Sequence, residues 1–305
     1  MNYSRYSLKN IHMNDRFEKK FMPYLYIVPA LIVVLFVFVY PIIDVVIRSF
    51  SGFLGSTSKT GFVGMLNYRL LFNDKLFWVS FKNSMLLLLS VPIMTILSIL
   101  ISAMLFEKIR FASLYQSVVF FPFILAIPVV GVVFSYILQL KGVLNQILTA
   151  IGLNSLALDW LGNKNIAIWS VLFVIIWKQT GLGVVVFLSR MCSIDASLYE
   201  SANIDGANWW QKLFKVSIPQ LASVIEFFVV ISILNMLSWV FDYIYVITGG
   251  GPANMTYVLD FYIYRKAFSS SNMFIASSAS VFLLLVAVVV ISFESILRNK
   301  VEEIQ

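Results

Sequence analysis

MLLLLSVPIMTILSILISAMLF, residues 85–106, contains no charged side chain. A helix needs roughly 20 apolar residues to cross the hydrocarbon core of a bilayer, so this stretch predicts a membrane span. Three further runs without a charge, Tyr24–Ile43, Phe111–Leu140 and Met273–Phe293, predict three more spans.

Two other apolar runs contain a charge. Ile166–Ser189 includes Lys178, and Leu221–Phe241 includes Glu226. A charge inside the bilayer is costly and is tolerated where it faces protein or a polar cavity, so both runs still predict spans. The sequence therefore predicts an all-α polytopic membrane bundle of about six transmembrane helices.

The composition supports this class. Of the 305 residues, 60% are hydrophobic and 12% are charged, whereas soluble domains carry roughly 25% charged residues. The net charge of +7 comes from cations that flank the apolar runs, which is typical of membrane helices and argues against nucleic-acid binding. The single cysteine, Cys192, and single histidine, His12, exclude an internal disulfide and a Cys/His metal cluster. We predict no catalytic residue and no metal ligand.

The distribution of lysine and arginine predicts the orientation. Segment 1–22 and the short link that contains Lys108 and Arg110 are rich in cations, which favours a cytoplasmic position for both. The run at 23–47 is too long for a signal peptide and is expected to remain as the first transmembrane helix. Six spans then place the tail, 298–305, in the cytoplasm as well.

The loop 190–219 predicts two short helices around a turn. Asp195 suits the N-cap of the first helix, and Gly206 suits its C-terminal end. Asn208, followed three residues later by Gln211, resembles a capping box for the second helix. Such a hairpin indicates a protein interface, and a hairpin lying on the membrane surface is the alternative.

This loop resembles the signature of permease subunits of ABC importers, E-A-A-x3-G-x9-I-x-L-P. The matching residues are Glu200-Ser201-Ala202, then Gly206, then Val216-Ser217-Ile218-Pro219, and Asp205-Gly206-Ala207 is similar to the family's D-G-A form. Ser201, Val216 and Ile218 depart from the signature by small or apolar exchanges. The resemblance implies that the loop couples transport to an ATPase through Glu200, Ser201, Ala202, Asp205, Gly206, Ala207 and Pro219.

A second motif narrows the resemblance. Within Ile244–Thr256, the sequence is similar to the T-x-G-G-P-x-x-x-T stretch of carbohydrate-type permeases, the group of the maltose and glycerol-phosphate systems. This outer-loop motif comprises Gly249, Gly250, Gly251, Pro252 and Thr256. Two interpretations stay open for it: a structural turn, or direct contact with an extracellular binding protein.

The family resemblance implies a type I importer domain over residues 80–297, with five of the spans. It also implies several partners: a second homologous permease chain, ATPase subunits and an extracellular solute-binding protein, all in a bacterial cell membrane with its lipid. No phosphate-binding G-x-x-x-x-G-K-[ST] loop is present, so ATP and Mg²⁺ are expected on the ATPase, with no cofactor on this chain. The chain is expected to be a transport subunit for a sugar or oligosaccharide, and not an enzyme.

The substrate pathway is less well marked. Lys178 is interpreted either as a pathway or gate residue or as a member of a structural ion pair or hydrogen bond. The pathway candidates are Trp177, Lys178, Asn235, Trp239 and Asp242.

Three other functions compete with a sugar importer. A self-sufficient secondary transporter often shows an internal repeat, and this sequence shows none. A membrane enzyme would need a catalytic constellation that the sequence lacks. The same importer architecture with a non-sugar solute stays an alternative.

Overall fold

The computed structural model describes residues 24, 26–53, 60–107 and 110–302, with side chains as far as Ile296. The predicted cytoplasmic segment 1–22, with His12, lies outside the described residues.

Within the described part, five helices are long and apolar enough to cross a membrane. A sixth span results if the bent helix pair Ala112–Ile124 and Ile127–Ile137 is counted as one, here called the third span. The other five are, in chain order, Tyr26–Ser49, Lys75–Phe106, Ala167–Cys192, Trp209–Ser238 and Met273–Ile296. The chain is thus a multi-pass, all-α membrane protein, as predicted.

Short elements fill the loops between spans. Ser51–Phe53 and Thr60–Phe62 form a two-stranded antiparallel sheet, with Gly52 opposite Gly61, which the sequence did not predict. The short helices outside the spans are Leu66–Asn73, Val143–Ala150, Asn154–Leu156 (a 3₁₀ turn), Ala196–Ile204, Val240–Ile247, Leu259–Tyr264 and Arg265–Ser269 (a π turn). The sixth helix continues to Glu302, so the predicted tail begins as helix.

The third apolar run, 111–140, is not the single straight span that its length suggested. Its two helices meet at 98°, with Leu125 and Ala126 in extended conformations between them. Pro128 has no N–H to donate to the carbonyl of Ile124, so the first helix cannot continue through this point. The chain therefore changes direction at Leu125 and Ala126, between the two helices of the third span.

The second and fourth spans form the centre of the bundle. The hydroxyl of Ser98 donates to the carbonyl of Thr180 at 2.9 Å, and that of Ser102 donates to the carbonyl of Val184 at 2.9 Å. Gly183 faces Ser98 in the same contact. Small residues and side-chain hydrogen bonds of this kind let membrane helices approach closely.

The first span is the least enclosed helix. Its side chains are mostly exposed between Tyr26 and Ile47, and it contains a π turn at Leu35–Val39 just before Pro41. The fold holds its C-terminal end, where Asn67 and Ser278 both donate to the carbonyl of Ser49.

Close packing of the third and fourth spans leads to a prediction about Gly181. A Cβ at this position would collide with the backbone oxygen of Val119, and backbone atoms cannot move aside cheaply. Gly181→Ala should destabilise the detergent-solubilised protein by about 1–3 kcal/mol, the usual cost of overpacking, measured as a lower unfolding temperature. Ser189→Thr adds one methyl at an exposed position of the same helix and is the control. Equal unfolding temperatures for the two variants would contradict the packing argument.

Candidate functional site

The hairpin after the fourth span is fixed by its own caps. The carboxylate of Asp195 accepts from the N–H of Ser197 at 2.9 Å, which holds the pKa of Asp195 below its ordinary value. Gly206 ends the first helix with φ +72°, a conformation that favours glycine. Asn208 and Gln211 form a reciprocal capping box, with bonds of 2.8 and 2.9 Å. All three predicted caps are confirmed.

The second helix of the hairpin continues into the fifth span. It passes from Trp209–Lys212 through a π turn, Leu213–Ser217, into Ile218–Ser238. Pro219 lies in the first turn of that last segment, as expected, but no loop precedes it. Pro219 cannot donate to the carbonyl of Lys215, and the wider π turn accommodates this missing bond. The second helix of the hairpin and the fifth span are therefore one helix.

Two contacts seat the hairpin on the bundle, and a third joins its two helices. The hydroxyls of Tyr199 and Ser217 lie 2.9 Å apart, and the ring of Tyr199 lies 5.1 Å from that of Phe106 at the end of the second span. The ammonium of Lys212 donates to the side chain of Asn203 across the hairpin at 3.2 Å. Bonds on both sides of the turn restrict its movement relative to the spans.

The outer face of the hairpin is apolar and exposed. Ile204 is 86% exposed, and the stacked rings of Trp210 and Phe214 are 55% and 60% exposed. Among the predicted coupling residues, Ala202 and Ala207 are partly buried, and the others, Glu200, Ser201, Asp205, Gly206 and Pro219, are exposed. Exposed apolar surface of this kind marks a contact with another protein or with the membrane. Cys192 is exposed just before the hairpin.

A cavity of about 400 Å³ lies beside the break in the third span. Four of the five predicted pathway residues line it together: Lys178, Asn235, Trp239 and Asp242. Trp177 is not among its lining residues, because its ring points away and packs at 5.1 Å from that of Phe134. The cavity has the size of an ordinary small-molecule site, roughly 300–1,000 Å³.

Lys178 connects the cavity to the break. Its side chain is only 5% exposed, and its ammonium donates to the carbonyl of Phe123 at 3.0 Å and lies 5.3 Å from that residue's ring centre. The break leaves carbonyls at the end of the first helix without helical partners, and a cation is favourable there. Lys178 thus makes a structural hydrogen bond and also lines the cavity. The first agrees with the structural interpretation, and the second is what the pathway interpretation requires.

A second helix break, at Trp239, also borders the cavity. The helix Ile218–Ser238 ends at Trp239, and Val240–Ile247 begins after it. Asp260 caps the new helix: its carboxylate accepts from the N–H groups of Phe241 at 2.6 Å and Phe261 at 2.8 Å. Sequence reasoning missed Asp260, although an acid within the apolar stretch 257–264 is a signal that was available. Gln179 and Phe123, which also line the cavity, were missed as well.

The outer-loop motif forms a buttressed turn. Gly249 and Gly250 have φ values of +57° and +86°, and the Gly251–Pro252 peptide is cis. Thr256 is fully buried and its hydroxyl donates to the carbonyl of Gly251 at 2.6 Å, next to the hydroxyl of Thr248 at 2.8 Å. This geometry supports the structural-turn interpretation, while contact with a binding protein stays a prediction.

The turn is held by the start of the second span. The side-chain amide of Asn83 donates to the carbonyls of Met255 and Tyr257, each at 2.8 Å, and the hydroxyl of Ser84 accepts from the N–H of Leu259 at 2.9 Å. These bonds join chain segments that are far apart in sequence.

Asp74 ties the same region together from the side. Its carboxylate accepts from the hydroxyl of Tyr262 at 2.9 Å and pairs with the ammonium of Lys266 at 2.8 Å. Burial alone would raise the pKa of Asp74, but the hydrogen bonds from Lys266 and Tyr262 hold it below its ordinary value.

Comparison with known proteins gives consistent neighbours. No protein-family model matches the chain. It is 32% identical to the probable ABC transporter permease protein YurN of Bacillus subtilis, over 88% of this chain and 93% of that protein. It is 31% identical to the lactose transport system permease protein LacF of Rhizobium radiobacter, over 88% of this chain and 91% of that one.

The fold also matches a solved structure. A chain of a bacterial ABC transporter involved in the import of the acidic polysaccharide alginate aligns with a TM-score of 0.81 and 25% identity, over 95% of this chain and 99% of that chain. A second structure of a bacterial alginate ABC transporter, in complex with its pentasaccharide-bound periplasmic protein, aligns equally well, over 94% and 97%.

The anchor of the outer-loop turn generates one prediction. Asn83→Asp replaces a donor with a carboxylate that faces two carbonyl oxygens, so the turn loses both bonds. We expect a loss of about 2–4 kcal/mol of stability, since leaving one buried polar group unsatisfied costs about 1–3 kcal/mol. Thermal unfolding in detergent and proteolysis of the loop 249–257 measure the effect. Asn254→Asp makes the same change at an exposed position of the loop and should be neutral. Similar losses in both variants would contradict the assigned bonds.

Asp260 generates a pH prediction. Burial, and to a lesser degree the neighbouring Asp242, raises the pKa of Asp260 to about 6, although its N–H donors favour the charged form. A raised pKa means that the folded state binds the proton of Asp260 more tightly than the unfolded state does. The resulting contribution to the free energy of unfolding is complete below the unfolded pKa of about 3.9, and it is lost as the pH rises through 6.

The wild-type unfolding temperature should therefore fall between pH 4.5 and 7, by an amount equivalent to about 2–3 kcal/mol at 1.4 kcal/mol per pKa unit. Asp260→Asn should flatten this dependence, and Asp205→Asn, at an exposed hairpin position, should retain it. An unchanged slope in Asp260→Asn would refute the assignment.

Proposed function

The chain belongs to the permease family of ABC transporters, and on that premise we propose that it forms half of the membrane pathway of an importer for a sugar or oligosaccharide. The lactose and alginate systems among its relatives and structural neighbours support a carbohydrate cargo. The observation that carries the proposal is the hairpin, which presents an apolar face and is continuous with a span that reaches the cavity wall.

Coupling works through this continuity. A separate ATPase binds the exposed face around Trp210 and Phe214, and its closure displaces the hairpin. The caps at Gly206 and Asn208 keep the turn from absorbing the displacement, and the helix transmits it to Trp239. ATP and Mg²⁺ are bound by the ATPase, so this chain acts as a transport subunit without a cofactor of its own.

We infer the remaining partners from the family and from the number of spans. Six spans make half of a pathway, so a second homologous permease chain completes it within the lipid of a bacterial cell membrane. The alginate neighbour, solved with a periplasmic protein, supports delivery of cargo by an extracellular solute-binding protein. The hairpin follows the fourth span, an even number, so it lies on the same side as the N-terminus. Both termini are therefore cytoplasmic.

The assembly can be tested by mass spectrometry of the proteins that co-purify with this chain in mild detergent, after expression from its own genome. Recovery of an ATPase and a second six-span permease is expected. A stable oligomer of this chain alone would overturn the importer proposal and favour a secondary transporter.

The coupling step is tested at Gly206. Gly206→Val forces a β-branched side chain into a left-handed conformation and should distort the turn, so uptake falls at least tenfold while membrane insertion persists. Gly152 offers a matched control, because its φ is +82° and, like Gly206, it has no neighbour within 4 Å of an added Cβ. Gly152→Val should retain uptake in reconstituted vesicles. Equal loss in both variants, at equal expression, would show general destabilisation instead of uncoupling.

A further inference from the structure

Two opposite charges share the cavity without forming a pair. Arg48–Asp44 and Lys266–Asp74 are ion pairs within the described part of the chain, whereas Lys178 and Asp242 form no ion pair with each other. Lys178 and Asp242 line one cavity of about 400 Å³, yet they do not contact each other. Opposite charges in a partly buried site usually pair, so their separation leaves both available to something between them.

Lys178 has donors to spare. Its ammonium carries three N–H groups, and the structure gives one hydrogen bond, to the carbonyl of Phe123. A side chain that is 5% exposed obtains little from solvent. The remaining N–H groups of the ammonium are therefore available to a molecule in the cavity that Lys178 lines.

Asp242 has acceptors to spare. It lies in the first turn of the helix Val240–Ile247, where an acid would normally cap the free N–H groups. Asp260 already fills that role through the N–H of Phe241, and no hydrogen bond to the Asp242 side chain occurs among the described residues. The carboxylate of Asp242 is partly buried and lines the cavity.

The rest of the wall is neutral. Gln179 and Asn235 contribute side-chain amides, and Trp239 contributes an indole that is 58% exposed. One cation and one anion therefore sum to no net charge, surrounded by groups that donate, accept and stack.

We propose, on the basis of the proposed function, that this cavity selects an uncharged polyhydroxylated cargo, held between Lys178 and Asp242. One cargo hydroxyl accepts from the ammonium of Lys178, and another donates to the carboxylate of Asp242. A sugar acid can pair with Lys178, but it then brings a second negative charge into a small cavity beside Asp242, which is unfavourable. The site thus differs in charge preference from a pathway for an acidic polysaccharide such as alginate.

The test uses the purified assembly of both permease chains and the ATPase in detergent, without binding protein, so that only the membrane site is sampled. Its unfolding temperature is followed with lactose, sucrose or raffinose, and with digalacturonate and glycine betaine at matched ionic strength. Ligands that bind only the folded assembly raise this temperature in a concentration-dependent way.

At least one uncharged sugar should stabilise the assembly, and digalacturonate should not. Lys178→Met and Asp242→Asn should each raise the half-saturating sugar concentration about ten- to hundredfold, the loss of one hydrogen bond to a charged group. Lys141→Met and Lys164→Met remove exposed charges elsewhere and should leave it unchanged.

Three results would overturn the cavity proposal: stabilisation by digalacturonate that increases in Asp242→Asn, stabilisation by glycine betaine alone, or no stabilisation by any uncharged sugar in an intact assembly. Failure of the ATPase to associate at all would overturn the proposed function, and this proposal with it, and is recognised before any ligand is added.

Discussion

The bilayer imposes one constraint on this molecule: backbone groups inside it must find partners within the protein. Continuous helices satisfy this automatically, and most of the spans do so. The two breaks, at residues 125–126 and at Trp239, are the exceptions, and each is repaired by a charged side chain from elsewhere. Lys178 serves the carbonyl end of one broken helix, and Asp260 serves the N–H end of the other. These charges therefore stabilise the two breaks, because each gives a backbone group at a broken helix end a hydrogen-bond partner.

The same logic separates two kinds of polar contact in the fold. At the centre, Ser98 and Ser102 bond to carbonyls of a neighbouring helix and add specificity to close packing. Outside this centre, Asn83 bonds to backbone carbonyls of the outer-loop turn, and Asp74 bonds to the side chains of Tyr262 and Lys266. The first group fixes how spans pack, and the second holds the segment between the fifth and sixth spans. Both depend on side chains whose partners are distant in sequence.

Much of the fold and of the hairpin could be predicted from local patterns. Apolar length predicted the spans, and the caps at Asp195, Gly206 and Asn208 depend on neighbours within a few residues. Length alone cannot separate one straight helix from two short ones, so it gave no measure of the 98° bend in the third span, although Pro128 marks a point where a helix kinks or ends. The role of Asp260 was missed for a different reason: its partner, Phe241, is 19 residues away, and only the folded chain brings them together. Grouping of Lys178, Asn235, Trp239 and Asp242 followed from charge and aromatic type, but their shared cavity required the structure.

The unbroken course of Trp209–Ser238 has a mechanical consequence. At 1.5 Å per residue, this helix is about 45 Å long. One of its ends carries the hairpin aromatics and the other borders Trp239, so the helix acts as a lever arm whose fulcrum is its contact with the bundle. A tilt of only a few degrees displaces both ends by ångströms in opposite directions. The hairpin aromatics and the cavity wall at Trp239 consequently move together. The π turn at Leu213–Ser217 is the one place along this helix where the backbone hydrogen bonds depart from a regular α-helix.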